Sequence, residues 1–398
     1  MSSFGRWLSK GLVVAAATSM GLVSVAQAQE APEKFKIGGV TALSGPYGLL
    51  GEDMRRGVQI AIEERDGKIM GVPIEVVWED DETKPQTAVQ KTTKLISEGS
   101  HMIFGAVSSA STLAIMNLTK QRKIPHLVTI SADDKITVPG GSRYTFRTSN
   151  NLDMENRMAW AYTEEKQIKK IYAVTADYQA TRDGWTWFKK KAEENGVEIV
   201  GEDFAPLGNR DYSSIVDKIT KSDAEGVALF MTGSDVVTFL KQASQVNLSE
   251  SKIIFGPVVA DDTMAEAVGT GALGVNSGLR YHYTTDNPAN KKFVDAYYKK
   301  FGEFPAMTAG EAYDGMSWWL DIVEATKSWD KEVWIDAFEN SVRENSVEGK
   351  KTMRPCDHQA SQPGYWGEVV EGTPPAPALT MKITNVFTED KLFKACAQ

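Results

Sequence analysis

The chain has 398 residues, of which 42% are hydrophobic and 24% charged, and carries a formal net charge of −9. That acidic balance offers nucleic acid and anionic lipid no basic patch to bind, which excludes them as partners. The length exceeds what one hydrophobic core usually serves, so two lobes are expected.

Residues 1–28 begin with Arg6 and Lys10, continue through "GLVVAAATSMGLVSVA" and end in Ala26-Gln27-Ala28. Thr18, Ser19 and Ser24 interrupt the apolar run, which is short for a bilayer span and closes on a small-x-small site. This predicts a secretory leader cleaved after Ala28. Removing 28 residues with two basic and no acidic side chains leaves 370 residues and moves the formal charge from −9 to −11. The only cysteines, Cys356 and Cys396, fall in the remaining chain, and in an oxidising compartment an even pair reads as a disulfide.

From Phe35 onward, β-rich runs alternate with stretches of helical period. "FKIGGVTAL" reads as a strand, and "MRRGVQIAIEER" as a helix with Met54, Val58, Ala61 and Ile62 on one face. The strand "VPIEVVWED" precedes a helix opening near Thr83 and Pro85. "HMIFGAV", a helix from Ser111 and the strand "HLVTI" follow. A second series of similar build starts near Asp153 and runs through "KKIYAVTAD", "VEIVGEDFAP", "GVALFMTG" and "KIIFGPVV", with helices between. Three more helical segments come after "LRYHYTTDNP", and the tail from Met353 is β-like. Strict alternation implies an α/β fold with parallel sheets covered on both faces.

In such sheets ligands sit beyond the carboxyl ends of strands, where helix N-termini offer free amides. "GAVSSAST" lies at such an end, and its Ser108, Ser109, Ser111 and Thr112, with those amides, suit a carboxylate. Ser111 sits where a helix cap is expected. A nucleophilic Ser109 in a secreted hydrolase is the alternative. There is no Gly-x-Ser-x-Gly elbow, however, and none of His101, His126, His282 and His358 is an evident base.

"GTGALG" at Gly269–Gly274 matches a dinucleotide-loop pattern by letter but follows the helical "TMAEAV", so it reads as a helix stop. The acid runs Glu79-Asp80-Asp81-Glu82 and Asp261-Asp262 lack Ca²⁺-loop spacing and read as solvated strand ends. His358 near Cys356 gives two ligands at most, which is no metal site. Neither a metal nor a cofactor is expected.

"LSGPYGLLGEDMRRGVQIAIEE", "GAVSSAST", "KIPHLV", "FRTSNNLDMEN", the "GP" of "IIFGPVV", "AYDG" and "MRPCDHQ" together resemble periplasmic substrate-binding proteins of the branched-chain amino acid (Leu/Ile/Val-binding protein-like) type, which serve ABC importers. The resemblance spans nearly all of the chain beyond the leader. It implies a two-lobed type I periplasmic binding protein fold, each lobe a mostly parallel sheet flanked by helices, with the ligand cleft between lobes. Lobe 1 is expected at 34–148 plus 283–352 and lobe 2 at 149–282 plus 353–398, closing about crossings near 148–152, 280–285 and 350–354.

The resemblance further implies a periplasmic monomer that binds a small carboxylate-bearing ligand and works with membrane permease subunits. It places ligand contacts on Ser108 and Ser109, on Ile130, Ser131 and Ala132, and on a lobe 2 wall at Tyr178–Thr181 and Met231–Ser234, with Tyr178, Thr181 and Thr232 foremost. Ser109 and Ser131 are expected to hold the carboxylate, while Trp185 and Trp187 either stack on an aromatic ligand or pack their helix on the sheet. Two positions depart from the family pattern: Ala180 and Thr181 replace a Tyr-Gly, and Val258 stands where amino-acid binders carry the acid that holds the ammonium. An ammonium without that counter-charge is poorly held in a desolvated cleft, which opens the ligand class to aromatic and other organic acids beside hydrophobic amino acids.

Overall fold

The computed structural model describes residues 30–393 and 396, so the expected leader lies outside the described residues. The first series comprises β1 (Phe35–Thr41), α1 (Gly48–Glu63), β2 (Lys68–Ile69), β3 (Val72–Asp80), α2 (Pro85–Ser97), β4 (Met102–Gly105), α3 (Ser109–Arg122), β5 (His126–Val128) and β6 (Thr145–Arg147). These strands form one sheet in the order β2-β3-β1-β4-β5-β6, parallel except where β2 meets β3. Every residue of β4, β5 and β6 is buried, as a strand covered on both faces requires.

The second series comprises α4 (Leu152–Glu165), β7 (Lys170–Asp177), α5 (Gln179–Glu194), β8 (Glu198–Pro206), α6 (Ser213–Lys221), β9 (Gly226–Phe230), α7 (Ser234–Ser244), α8 (Leu248–Ser251), β10 (Ile253–Gly256), α9 (Asp262–Val268) and β11 (Asn276–Leu279). Its five strands pair in parallel, and the late strands β15 (Gly364–Glu371) and β16 (Leu379–Phe387) extend the sheet antiparallel, in the order β16-β15-β11-β10-β9-β7-β8.

Between these strands the chain returns to the first sheet as α10 (Pro288–Phe301), α11 (Met307–Thr326) and α12 (Lys331–Phe338). Phe293, Trp319 and Phe338 join Phe35 and Phe104 in a single core. Gly57 of α1 lets that helix lie backbone to backbone on α11, since a Cβ there would come 2.1 Å from the Ala309 carbonyl oxygen.

The third crossing falls later than the sequence reading placed it. β12 (Val342–Arg343), β13 (Lys351–Met353) and β14 (Ala360–Ser361) pair among themselves, and Met353 and Ala360 belong to the first core. Gln359 also bridges Arg147 of β6. The passage to the second sheet therefore comes between Ser361 and Gly364 instead of at 350–354. β-like patterning alone does not tell which sheet a short strand joins.

Cys356 and Cys396 form the expected disulfide, with Cα atoms 6.0 Å apart, which joins the loop after β13 to the segment beyond α13 (Glu389–Leu392). Closing a loop of 40 residues restricts the unfolded chain. Replacing both cysteines with serine is expected to cost about 2–4 kcal/mol of stability in urea unfolding. An unchanged unfolding midpoint would show that the bridge contributes nothing.

Candidate functional site

Gly105 ends β4 with φ +120, and a Cβ there would come 1.9 Å from the Val40 carbonyl oxygen, so only glycine hands this strand over to α3. Ser108, extended at φ −68 and ψ 125, caps α3 by accepting the Ser111 amide at 3.4 Å. The cap is thus three residues earlier than expected. The Ser111 hydroxyl is buried and has no hydrogen-bond partner among the described residues. Ser109, the first helical residue, turns its hydroxyl to accept the Asp133 amide at 3.3 Å.

A cavity of about 410 Å³ opens between the two sheets at this point. Ser108, Ser109, Ile130, Ala132, Tyr178, Thr181 and Thr232 all line it, so seven of the eight expected ligand residues come together. Ser131 does not. It is buried behind the wall, donates to the carbonyls of Ala106 and Val107 at 2.7 and 3.0 Å, and pairs with the Thr112 hydroxyl at 2.5 Å. Its role is to tie the β4 loop to the β5 loop.

Arg147, fully buried, fixes the same loop from behind by donating to the carbonyls of Ser131 and Asp133 at 3.1 and 2.7 Å. Burial lowers its pKa to about 10, so it stays cationic at neutral pH. Of the two readings of the tryptophans, the structure shows packing, and neither tryptophan lines the cavity. Trp185 is buried in the second lobe, stacked on Phe188 with its indole donating to Glu202, and Trp187 faces Arg157. The aromatic walls are instead Tyr47, Tyr178 and Phe230. Burial pushes the Tyr47 phenol above its ordinary range and the Tyr178 phenol well above it, so both are neutral hydrogen-bonding groups.

Three long helices begin at this cavity: α3 at Ser109, α5 at Gln179 and α11 at Met307. Neither α5 nor α11 has a side-chain cap, and none of the three carries an acid in its first turn. Their free amides and dipole ends therefore lie at the cavity from both lobes. The remaining wall is mainly apolar, including Leu50, Leu113, Met231 and Val258.

Four charged residues border it. Lys135 reaches across to Asp183 of the other lobe at 3.3 Å, and Asp133 accepts the Lys135 amide at 2.8 Å. Arg280 and Glu155 form a buried pair at 2.5 Å, and Arg280 also donates to the Ile130 carbonyl at 2.5 Å. Arg280 and Glu155 were not foreseen. The one available signal was an isolated Arg after a buried strand and an acid on an otherwise apolar helix face.

Elsewhere the acid run at the end of β3 is engaged, against expectation. Glu79 accepts from Lys91 and Lys94 at 2.6 and 2.5 Å, Asp80 from the Leu43 amide and Ser44 hydroxyl at 2.9 and 2.6 Å, and Asp81 is buried. Asp261 caps α9 by accepting the Met264 amide at 2.8 Å. Gly269, at φ +81, ends that helix as the sequence suggested. Among the described residues no group of three His, Cys, Asp or Glu side chains is placed to hold a metal ion.

A partly open, mainly apolar cavity between two α/β lobes, with helix N-termini beginning at it from both sides, is the architecture of a two-lobed solute-binding protein. The chain belongs to the periplasmic binding protein family, whose model matches residues 34–374. It is 28% identical over 323 residues to Leu/Ile/Val-binding protein homolog 6 of Brucella melitensis biotype 1, covering 78% of this chain and 81% of that protein. Among solved structures it is similar to an ABC transporter solute-binding protein of Rhodopseudomonas palustris BisB5 in complex with 3,4-dihydroxybenzoic acid. That match has a TM-score of 0.83 and 25% identity, and covers 90% of this chain and 98% of that one. A solute-binding protein from R. palustris in complex with 4-hydroxybenzoate matches with a TM-score of 0.81 and 26% identity, covering 89% and 97%.

Proposed function

We propose that the protein is the periplasmic, exported solute-binding component of an ABC importer, cleaved after Ala28, which as a monomer captures a small organic carboxylate by hinge closure and presents it to membrane permease subunits. The observation that carries this reading is the convergence of three uncapped or hydroxyl-capped helix N-termini on one largely apolar cavity between the lobes. An anion gains there from amides and dipoles that need no reorganisation. The apolar wall takes the body of the ligand. Ser109 and the amides around Ser108, Ile130 and Ala132 hold the carboxylate from lobe 1, while Tyr178, Thr181 and Thr232 close over it from lobe 2.

The ligand is an aromatic or other apolar acid without an α-ammonium. Val258 offers no counter-charge, and of the two acids that line the cavity Glu155 is already neutralised by Arg280 while Asp133 accepts the Lys135 amide. The relatives divide on this point, between a Leu/Ile/Val-binding homologue and the binders of hydroxybenzoates. The hydrolase alternative lacks a base, since one ring nitrogen each of His126, His282 and His358 is engaged with Gly105, Thr284 and Thr145, and among the described residues no histidine hydrogen-bonds to Ser109.

A thermal-shift panel of benzoates, aliphatic acids and α-amino acids tests the class, because a ligand of the folded state raises the melting temperature by mass action. Leucine stabilising the protein as much as any benzoate would overturn the reading of an ammonium-free ligand. For the acid that binds, Ser109→Ala is expected to weaken calorimetric affinity by about 1.5–3 kcal/mol, the worth of a hydrogen bond to a charged group. The melting temperature of the unliganded variant should stay at the wild-type value, since Ser108 and not Ser109 caps the helix. Unchanged affinity would remove Ser109 from the site.

A further inference from the structure

Three side chains of the cavity wall, Thr83, Asn156 and Thr308, keep a buried polar atom without a hydrogen-bond partner among the described residues, and the last two are buried as whole residues. Asn156 on α4 is 2% exposed and Thr308 on α11 is 1% exposed, and both line the cavity. The Asn156 carbonyl oxygen and the Thr308 hydroxyl are unpartnered among the described residues. Buried amides and hydroxyls are almost always paired, so an orphan of each kind bordering a ligand cavity points to a partner supplied by the ligand.

Their neighbourhood narrows that partner. Asn156 directly follows Glu155, and Thr308 lies one helical turn before Glu311, whose carboxylate is 3.7 Å from Arg280. Arg280 is in turn spent on Glu155 and on the Ile130 carbonyl. Of these charged groups only Arg280 and Glu155 line the cavity, and they pair with each other, so the groups left free in the wall beside them are a neutral amide and a neutral hydroxyl. Such a pair does not call for an ion. It suits a hydroxyl, which both donates and accepts.

We infer that the ligand is bipolar, with a carboxylate at the Ser109 end and a hydroxyl held by Asn156 and Thr308 at the hinge side of the cavity, and that these two residues set its specificity. This rests on the proposed carboxylate-binding reading and adds to it the second polar group.

Calorimetry on matched pairs tests the inference: benzoate against para-hydroxybenzoate, phenylpropanoate against its para-hydroxy analogue, and an aliphatic acid against its terminal hydroxy acid. In at least one pair the hydroxylated member should bind about tenfold or more tightly, because a site built to pair a hydroxyl rejects the analogue lacking it. Thr308→Val, which keeps the side chain's shape, and Asn156→Leu should each reduce that preference by several-fold while leaving the affinity of the unhydroxylated member within about twofold. Should Asn156→Leu fail to fold, Thr308→Val and Asn156→Ala carry the test. Equal affinities within every pair, or a preference that survives both variants, would overturn the inference while leaving the carboxylate reading intact. If no member of any pair binds, the carboxylate reading itself falls, and the inference with it.

Discussion

Replacing Lys351 with methionine is expected to destabilise the folded protein by about 3–5 kcal/mol in urea unfolding at neutral pH, the cost of removing one partner from a buried ion pair. Lys351 is fully buried. Its ammonium lies 2.5 Å from Glu348 and 3.0 Å from Asp314, and donates to the Thr148 carbonyl at 2.8 Å. It therefore ties the first crossing, at Thr148, to the segment leading into the third. Burial alone would raise the Asp314 pKa, but Arg343 and Lys351 hold it down to about 2. Burial outweighs the attraction for Glu348, whose pKa rises to about 7.

The signs of these shifts predict a pH dependence. A depressed carboxylate such as Asp314 contributes stability above its unfolded pKa and loses it only as pH falls towards about 2. A raised one such as Glu348 contributes stability below its unfolded pKa, near 4.3, and loses it as pH rises through about 7. Without Lys351 the Glu348 pKa moves higher still, so the variant's deficit should be larger at about pH 8 than at about pH 5. Adding Glu348→Gln to Lys351→Met should recover part of the loss at the higher pH. A deficit under about 1 kcal/mol at both pH values would mean that water relieves the site.

The alternation of strand and helix was legible because parallel strands buried on both faces must be continuously apolar, and "HMIFGAV" and "GVALFMTG" are. The place of Ser109 at the cavity was legible because ligand clefts in such sheets open where a strand hands over to a helix. Ser131 was misread because the direction of a loop side chain depends on which carbonyls face it. Here those of Ala106 and Val107 are brought up by the pairing of β4 with β5. Trp185 was left open between packing and stacking because an amphipathic helix gives the same signal whether its aromatic face meets a sheet or a ligand. The floor of the cavity was beyond reach, since Arg280 and Glu155 stand 125 positions apart and no local pattern joins them.

That pair gives the second large expectation. Arg280→Met should also cost about 3–5 kcal/mol at neutral pH, because it leaves Glu155 and Glu311 buried without a cation. Burial raises both carboxyl pKa values, that of Glu311 well above its usual range, while the two acids together raise the guanidinium. Two acids share one base, so the pocket is short of positive charge even in the wild type. A raised carboxylate loses its stabilising contribution as pH climbs, so the Arg280→Met deficit should shrink on acidification, and Arg280→Met/Glu155→Gln should regain about half of it at pH near 8.

Ligand binding separates this structural role from a direct one. If Arg280 acts only by neutralising Glu155 and holding the Ile130 carbonyl, the double variant should bind the acid found by the panel within a few-fold of wild type, because the carboxylate is held at Ser109. A loss of about 2–5 kcal/mol of affinity in the double variant, with stability largely restored, would instead mean that the guanidinium contacts the ligand carboxylate itself. In that case Arg280 would be the anchor, and the helix N-termini around Ser109 would serve only to orient the ligand.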